Sequence, residues 1–222
     1  MLISSPATIL AHTLQSMSSR AAVSIGPLQP LRDLLYSILP VEILALLPII
    51  TLIVFAVLSI VLGKKVNGVV LGVVGMTFTA ILFFIVDFSG PVFGSMLLFD
   101  DFSKFFSYVV LIAGMFVLAV SNLFIGDRAE YNSLLLVSLA GALLVVASTD
   151  LVILFAAWEL MSIPTYALCA LGSRKESIEG ATKYFIFGLT SSLIIAFGIA
   201  ILYGVTGSTS LQAISTILGG SP

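Results

Sequence analysis

The stretch LVILFAAWELMSIPTYALCAL, Leu151 to Leu171, decides the class of this chain. In its 21 residues the only ionisable groups besides the Glu159 carboxyl are the weak acids of Tyr166 and Cys169. An α-helix needs ~20 apolar residues to cross a hydrocarbon core of about 30 Å. The stretch therefore reads as a membrane span with a carboxyl near mid-membrane. Holding a formal charge there costs roughly 2.5–3.5 kcal/mol on insertion scales, which makes such a residue a functional-site candidate by default.

The rest of the chain agrees. Of 222 residues, 59% are hydrophobic and 9% charged, against about 25% charged in soluble domains. This is the composition of a polytopic membrane protein whose first partner is the lipid bilayer. The net charge of -2 supplies no basic patch, so nucleic acid is excluded as a partner. No phosphate-cradling loop is present. The single histidine, His12, and the single cysteine, Cys169, cannot form an intrachain disulfide or a conventional zinc or iron-sulfur site. No cofactor is expected in this chain, and any redox group belongs to a partner. Cys169 is expected to be a small packing residue.

Six runs are long enough to cross a bilayer: Val41 to Leu62, Val66 to Val86, Phe105 to Ile125, Tyr131 to Thr149, Leu151 to Leu171, and about Arg174 to Tyr203. Only Asp150 separates the fourth and fifth, so they form a tight hairpin with Asp150 as helix cap, or as an outer entrance in a functional reading. A single helix of ~40 residues would extend about 60 Å, twice the core thickness. The fold class is all-α, a transmembrane helix bundle of about six spans.

Lys64 and Lys65 follow span one, Arg128 span three, and Arg174 and Lys175 span five, whereas the alternate connections carry mainly Asp87, Asp100, Asp101 and Asp150. The positive-inside rule puts the basic loops in the cytoplasm and the N-terminus outside. Residues 1–40 form an N-terminal extension without a signal-peptide pattern, in which Leu31, Leu34, Leu35 and Ile38 suggest a short interfacial helix. Residues 41–203 form the bundle, and residues 204–222 an extracytoplasmic tail. Between spans two and three, Asp87 to Lys104 is long and apolar without being a span. Asp100 and Asp101 stand where a helix start favours acidic groups.

Spans five and six carry the constellation. Pro164 has no N–H for the Leu160 carbonyl, so the helix should kink or loosen beside Glu159, and a freed carbonyl in a membrane needs another partner. Ser162 and Tyr166 share the face of Glu159. Ser173 opens a capping-box pattern with Glu176, which places the start of span six at Arg174. Counted from the turn, Glu159 and Lys183 then lie ~20 and ~16 Å up their helices. That is similar depth in an antiparallel pair. Thr190 and Ser191 continue the polar character of span six, and Gly188 and Ser192 are small enough for close helix contact. A buried acid, a buried base, a helix kink and hydroxyls fit a structural ion pair, a solute site of a secondary transporter, or a proton relay. Residue chemistry alone leaves all three open.

From about Phe99 to Thr209 the chain resembles the antiporter-like membrane subunit N (subunit 2) of proton-pumping NADH:quinone oxidoreductase, respiratory complex I, and its archaeal relatives such as the reduced-deazaflavin dehydrogenase. The likeness rests on FDDFSKFF (Phe99 to Phe106), WELMSIPTYALCAL (Trp158 to Leu171) and EGATKYFIFGLTSSLIIAFGIAILYGVTGST (Glu179 to Thr209). LPVEILALLPII, Leu39 to Ile50, resembles the family's first helix, with Glu42 on its acidic position. Subunits of sodium/proton antiporter complexes and membrane-bound hydrogenases are the alternative, and a non-catalytic membrane scaffold is a third reading.

The resemblance implies a proton-translocating subunit of an energy-transducing membrane, the plasma membrane in a prokaryote. It implies partner membrane subunits, with iron-sulfur clusters and flavin in other chains. Glu159 and Lys183 match the family's glutamate of helix five and lysine of helix six, two members of its proton relay, with Pro164, Ser162, Tyr166 and Ser191 as structural support. The family's broken seventh helix with its lysine has no counterpart in residues 204–222. The chain is expected to be a partial antiporter-like fold, a fragment of a longer subunit or a split subunit completed by another chain. The electron donor and acceptor leave no trace in it.

Overall fold

The computed structural model describes residues 29–63, 67–172 and 175–220. The capping box expected at Ser173, together with Lys64, Lys65, Arg174 and residues 1–24, lies outside the described residues. The chain divides into two units at Pro40. In the first, α1 (Gln29–Ile38) exposes Leu34 and Ile38.

The second unit begins with six helices that are long and apolar enough to cross a membrane. These are α2 (Val41–Leu62), α3 (Gly68–Val86), α4 (Asp101–Ile125), α5 (Ala129–Ala147), α6 (Leu151–Ala170) and α7 (Lys175–Thr206). A short α8 (Leu211–Leu218) follows. Most are hydrophobic all round, as helices facing lipid or protein on every side must be. Hydroxyls inside them are satisfied at home: Thr79 donates to the Gly75 carbonyl, Thr190 to Ile186, and Ser191 to Phe187. Such back-bonding removes the cost of an unpaired polar group in hydrocarbon.

Helix α5 organises the bundle, packing against α2, α3, α4 and α6. Leu44, Leu52, Met76, Leu111, Leu118, Leu136 and Leu143 are among its fully buried side chains. Helix α6 lies beyond α5, and α7 packs chiefly against α6. Of the 32 residues of α7 only Ala181 and Ser192 are buried. It is the peripheral helix of this unit.

Helix ends are capped by acids and amides. Asn67 caps α3, aided by Asp127, whose carboxylate accepts from the Gly68 and Val69 N–H groups and from the buried Asn132. Asp100 caps α4 in a reciprocal box with Ser103. Arg128 donates to the Leu171 carbonyl at 3.1 Å, placing a cation at the C-terminal end of α6, where the helix dipole favours it.

The apolar segment between α3 and α4 contains a hairpin that its sequence did not announce. Strands β1 (Gly90–Val92) and β2 (Leu97–Phe99) pair antiparallel, with Gly90 opposite Phe99 and Val92 opposite Leu97. Phe93, Gly94 and Ser95 turn through the left-handed region, with φ of 52°, 64° and 71°. Three-residue strands are too short for alternation to show. Lys104 closes the hairpin base, 2.6 Å from Asp87 and 2.8 Å from Ser89.

This hairpin joins a wider cap. Leu97 bridges to Ser148 in the α5–α6 turn, and the Thr149 N–H donates to the Met96 carbonyl. On the far side of that turn Asp150 bridges to Ser210, the Leu151 N–H donates to Thr209, and the Leu211 N–H donates to Thr149. The expected tight hairpin of spans four and five is thus tied to β2 on one side and to the segment after α7 on the other. The buried Asp150 accepts from the N–H groups of Val152 and Ile153 and from the Thr209 hydroxyl at 2.5 Å. That is a helix cap with a cross-link.

Candidate functional site

Glu159 stands half-buried on α6, facing α7. Its carboxylate accepts a hydrogen bond from Ser192, which is buried at 6% exposure. Among the described residues no cation lies within ion-pair distance of it. The partner of the mid-membrane acid is a neutral hydroxyl.

The structure does not bring Lys183 to Glu159. Lys183 pairs with Glu179 on its own helix at 2.5 Å, and both side chains are 67% exposed. Two features separate it from the carboxyl. Lys183 precedes Ser192 by nine residues, half a revolution at 100° per residue, so the two lie on opposite faces of α7. The depths also differ. Glu159 is eleven residues from Ala170, the end of α6, whereas Ser192 is seventeen from Lys175, the start of α7. At 1.5 Å per residue the first turns of α7 overhang α6 by about 9 Å. Counting both helices from one turn had placed the wrong residue at the level of the acid.

The supporting residues divide. Pro164 is buried, and α6 continues as helix through it from Leu151 to Ala170. The peptide whose carbonyl loses its donor, Leu160–Met161, lies against Gly141 of α5, where any Cβ would collide with it. Ser138 donates to the next carbonyl, Met161, at 2.9 Å. No break in α6 accompanies the proline, and the stretch before it is held by its neighbour. Ser162 is buried and its carbonyl accepts from Thr165. Ser191 is exposed and turned back on its own helix, and Ser192 takes the place at the acid.

Tyr166 packs edge-on against Tyr184, centroids 4.8 Å apart, and against Phe185 at 5.7 Å. Its hydroxyl occupies the space that a side chain at Gly188 would need. One turn further on, the Tyr184 hydroxyl lies 3.4 Å from that of Thr165. Sequence reasoning marked Gly188 and Ser192 as small contact residues, and their spacing of four was the available signal that they share a seam. Cys169 is exposed, so its expected packing role is not fulfilled within this chain. Trp158 is 42% exposed. Glu42 is exposed in the first turn of α2.

Six spans in this order around a central α5, with a carboxyl between the last two, define an integral membrane protein of antiporter-like helical fold. Residues 148–221 match the family model described as NADH:quinone oxidoreductase/Mrp antiporter, TM. The chain is 36% identical over 139 residues to the NADH-quinone oxidoreductase subunit N 1 of Solibacter usitatus, covering 60% of this chain and 29% of that protein. It is 34% identical over 189 residues to the subunit N 1 of Thermodesulfovibrio yellowstonii, covering 81% and 41%. Among solved structures it resembles respiratory complex I from Thermus thermophilus, with a TM-score of 0.63, 27% identity, and coverage of 74% of this chain and 38% of that one. Over the matched residues the chain is thus similar to subunit N of NADH-quinone oxidoreductases. It spans less than half the length of these relatives.

Proposed function

We propose that the chain serves as a membrane-embedded, proton-translocating subunit of a complex I-like electron-transfer complex, with Glu159 as a proton-holding group on the path. The observation that carries this reading is the pairing of a mid-span carboxyl with a hydroxyl. An ion pair would hold the carboxyl in its charged form, whereas a hydroxyl can donate to a carboxylate or accept from a carboxylic acid. Glu159 can therefore gain and lose a proton without losing its partner. Lys183 is read as a second relay group. It stands on the opposite face of α7, so its route to Glu159 runs through membrane helices other than the six described, in the same subunit or a partner.

The chain carries no redox chemistry in this reading. Flavin and iron-sulfur clusters belong to partner subunits, and electron transfer there drives proton movement here. The sizes of the relatives support a larger membrane assembly around these helices. The decisive experiment measures proton pumping in sealed vesicles by the complex carrying Glu159→Gln. Normal assembly with strongly reduced pumping is the expected result. Parental pumping would leave the chain a membrane scaffold.

A further inference from the structure

Helix α5 grips α6 on the side away from Glu159. Its contacts centre on Met161, which stands about 200° round α6 from the acid at 100° per residue. A side-chain carbon at Gly141 would collide with the Met161 nitrogen and the Leu160 carbonyl carbon, so the two backbones meet there with nothing between them. Ser138, three residues earlier on the same face of α5, donates its hydroxyl to the Met161 carbonyl at 2.9 Å. Both residues are buried. The grip falls one turn before Pro164, which has no N–H for the Leu160 carbonyl, and α6 nevertheless runs unbroken from Leu151 to Ala170. On its other side α6 presents Glu159 to Ser192 of α7.

We propose that Ser138 and Gly141 are positioning residues for Glu159, fixing the rotation of α6 so that the carboxyl stays against Ser192. The proposal rests on the reading of Glu159 as a proton-holding group given above. A helix that is apolar on every side has no stripe to set which face meets a neighbour, so the setting falls to specific contacts. A backbone-to-backbone contact and a hydrogen bond to a backbone oxygen suit that task, because neither is relieved by a change of rotamer on α6. The tolerance is small. In a helix about 10–12 Å across, a turn of about 20° carries a group at the rim by roughly 2 Å, and a hydrogen bond is lost beyond about 3.5 Å. Loss of the Ser138 bond frees the rotation, and a methyl group at Gly141 pushes α6 off its setting.

The test reads the carboxyl itself. In the assembled complex the infrared band of Glu159 is isolated by subtracting the spectrum of Glu159→Gln, and Ser192→Ala supplies the band of a carboxyl without its hydroxyl partner. Gly141→Ala should move the band most of the way to that reference and Ser138→Ala part of the way. Ser138→Thr, which keeps the hydroxyl, should lie nearer the parental band than Ser138→Ala. Proton pumping in sealed vesicles should fall several-fold in the two Ala variants at unchanged complex content. Gly114→Ala is the structural control, because its methyl group collides with Leu139 and Met76 rather than with α6. It should strain the bundle without moving the band. A parental band in both Gly141→Ala and Ser138→Ala, or an equal shift in Gly114→Ala, overturns the proposal. If Gly141→Ala does not assemble, the Ser138 variants decide alone, a parental band in Ser138→Ala overturning it. The band reports the surroundings of Glu159 whether or not that group carries protons, so the positioning is still decided if Glu159→Gln pumps at the parental rate and the function itself fails.

Discussion

Ser192 of α7 donates its hydroxyl to Glu159 of α6, while Lys183 on the opposite face of the same helix pairs with Glu179. One helix therefore presents a neutral partner to the acid and a charged pair to whatever lies beyond. A lysine at the Ser192 position would stabilise the carboxylate and hold it ionised. A hydroxyl in its place can donate to a carboxylate or accept from a carboxylic acid.

Replacing Ser192 by Ala removes that donor, and replacing it by Thr retains it. Hydrogen bonds to charged groups contribute about 1.5–3 kcal/mol, and each 1.4 kcal/mol is about a factor of ten in an equilibrium. Ser192→Ala should lower proton pumping by about tenfold with assembly intact, and Ser192→Thr should restore most of it. Equal pumping by the Ala and Thr variants would reduce Ser192 to a space-filling residue.

Gly188 and Tyr166 should be energetically coupled. A methyl group at Gly188 meets the Tyr166 ring and hydroxyl, and overpacking of this kind costs about 1–3 kcal/mol. Gly188→Ala should lower the melting temperature of the purified complex, whereas adding Tyr166→Leu should recover part of the loss. Residues in contact show coupling of about 0.5–3 kcal/mol, so strictly additive effects would mean that the two do not touch.

Span count was legible because run length is a one-dimensional property, and Leu151 to Leu171 announces a crossing whatever its neighbours do. Asp150 was legible as a cap because a lone acid between two apolar runs has little else to do. The partner of Glu159 was not. Depth along an antiparallel pair depends on how far one helix overhangs the other, and the overhang of α7 is set by packing contacts such as Tyr166 on Gly188. Facing was hidden as well, because a helix apolar on every side has no single apolar stripe to betray its orientation. The hairpin from Gly90 to Phe99 escaped for a third reason: its strands are stabilised by links to Ser148 and Thr149, residues some fifty positions away.

Asp150 should matter to stability more than to transport. Its carboxylate accepts two N–H groups at the start of α6 and cross-links to Thr209. Removal of a capping side chain typically costs ~1 kcal/mol, and here the Thr209 hydroxyl loses its acceptor too. Asp150→Ala should lower the melting temperature and make the segment around residues 207–210 easier to cleave with protease. Thr209→Val should do the same to a smaller degree. An Asp150→Ala variant as stable as the parent but unable to pump would move this residue from the cap to the proton path.

Lys183 gives the opposite expectation. Its bond to Glu179 is an exposed pair four residues apart on one helix, an interaction worth about 0.3–0.5 kcal/mol. Lys183→Ala should therefore leave the melting temperature of the isolated chain unchanged within about 2 °C, since a change of 1 kcal/mol shifts a domain of 150–250 residues by only about 2–4 °C. In the assembled complex the same substitution should reduce pumping, because the face that carries Lys183 is the one left for other membrane helices. A stability loss in the isolated chain, with pumping preserved in the complex, would make Lys183 a structural residue of α7 and remove it from the relay.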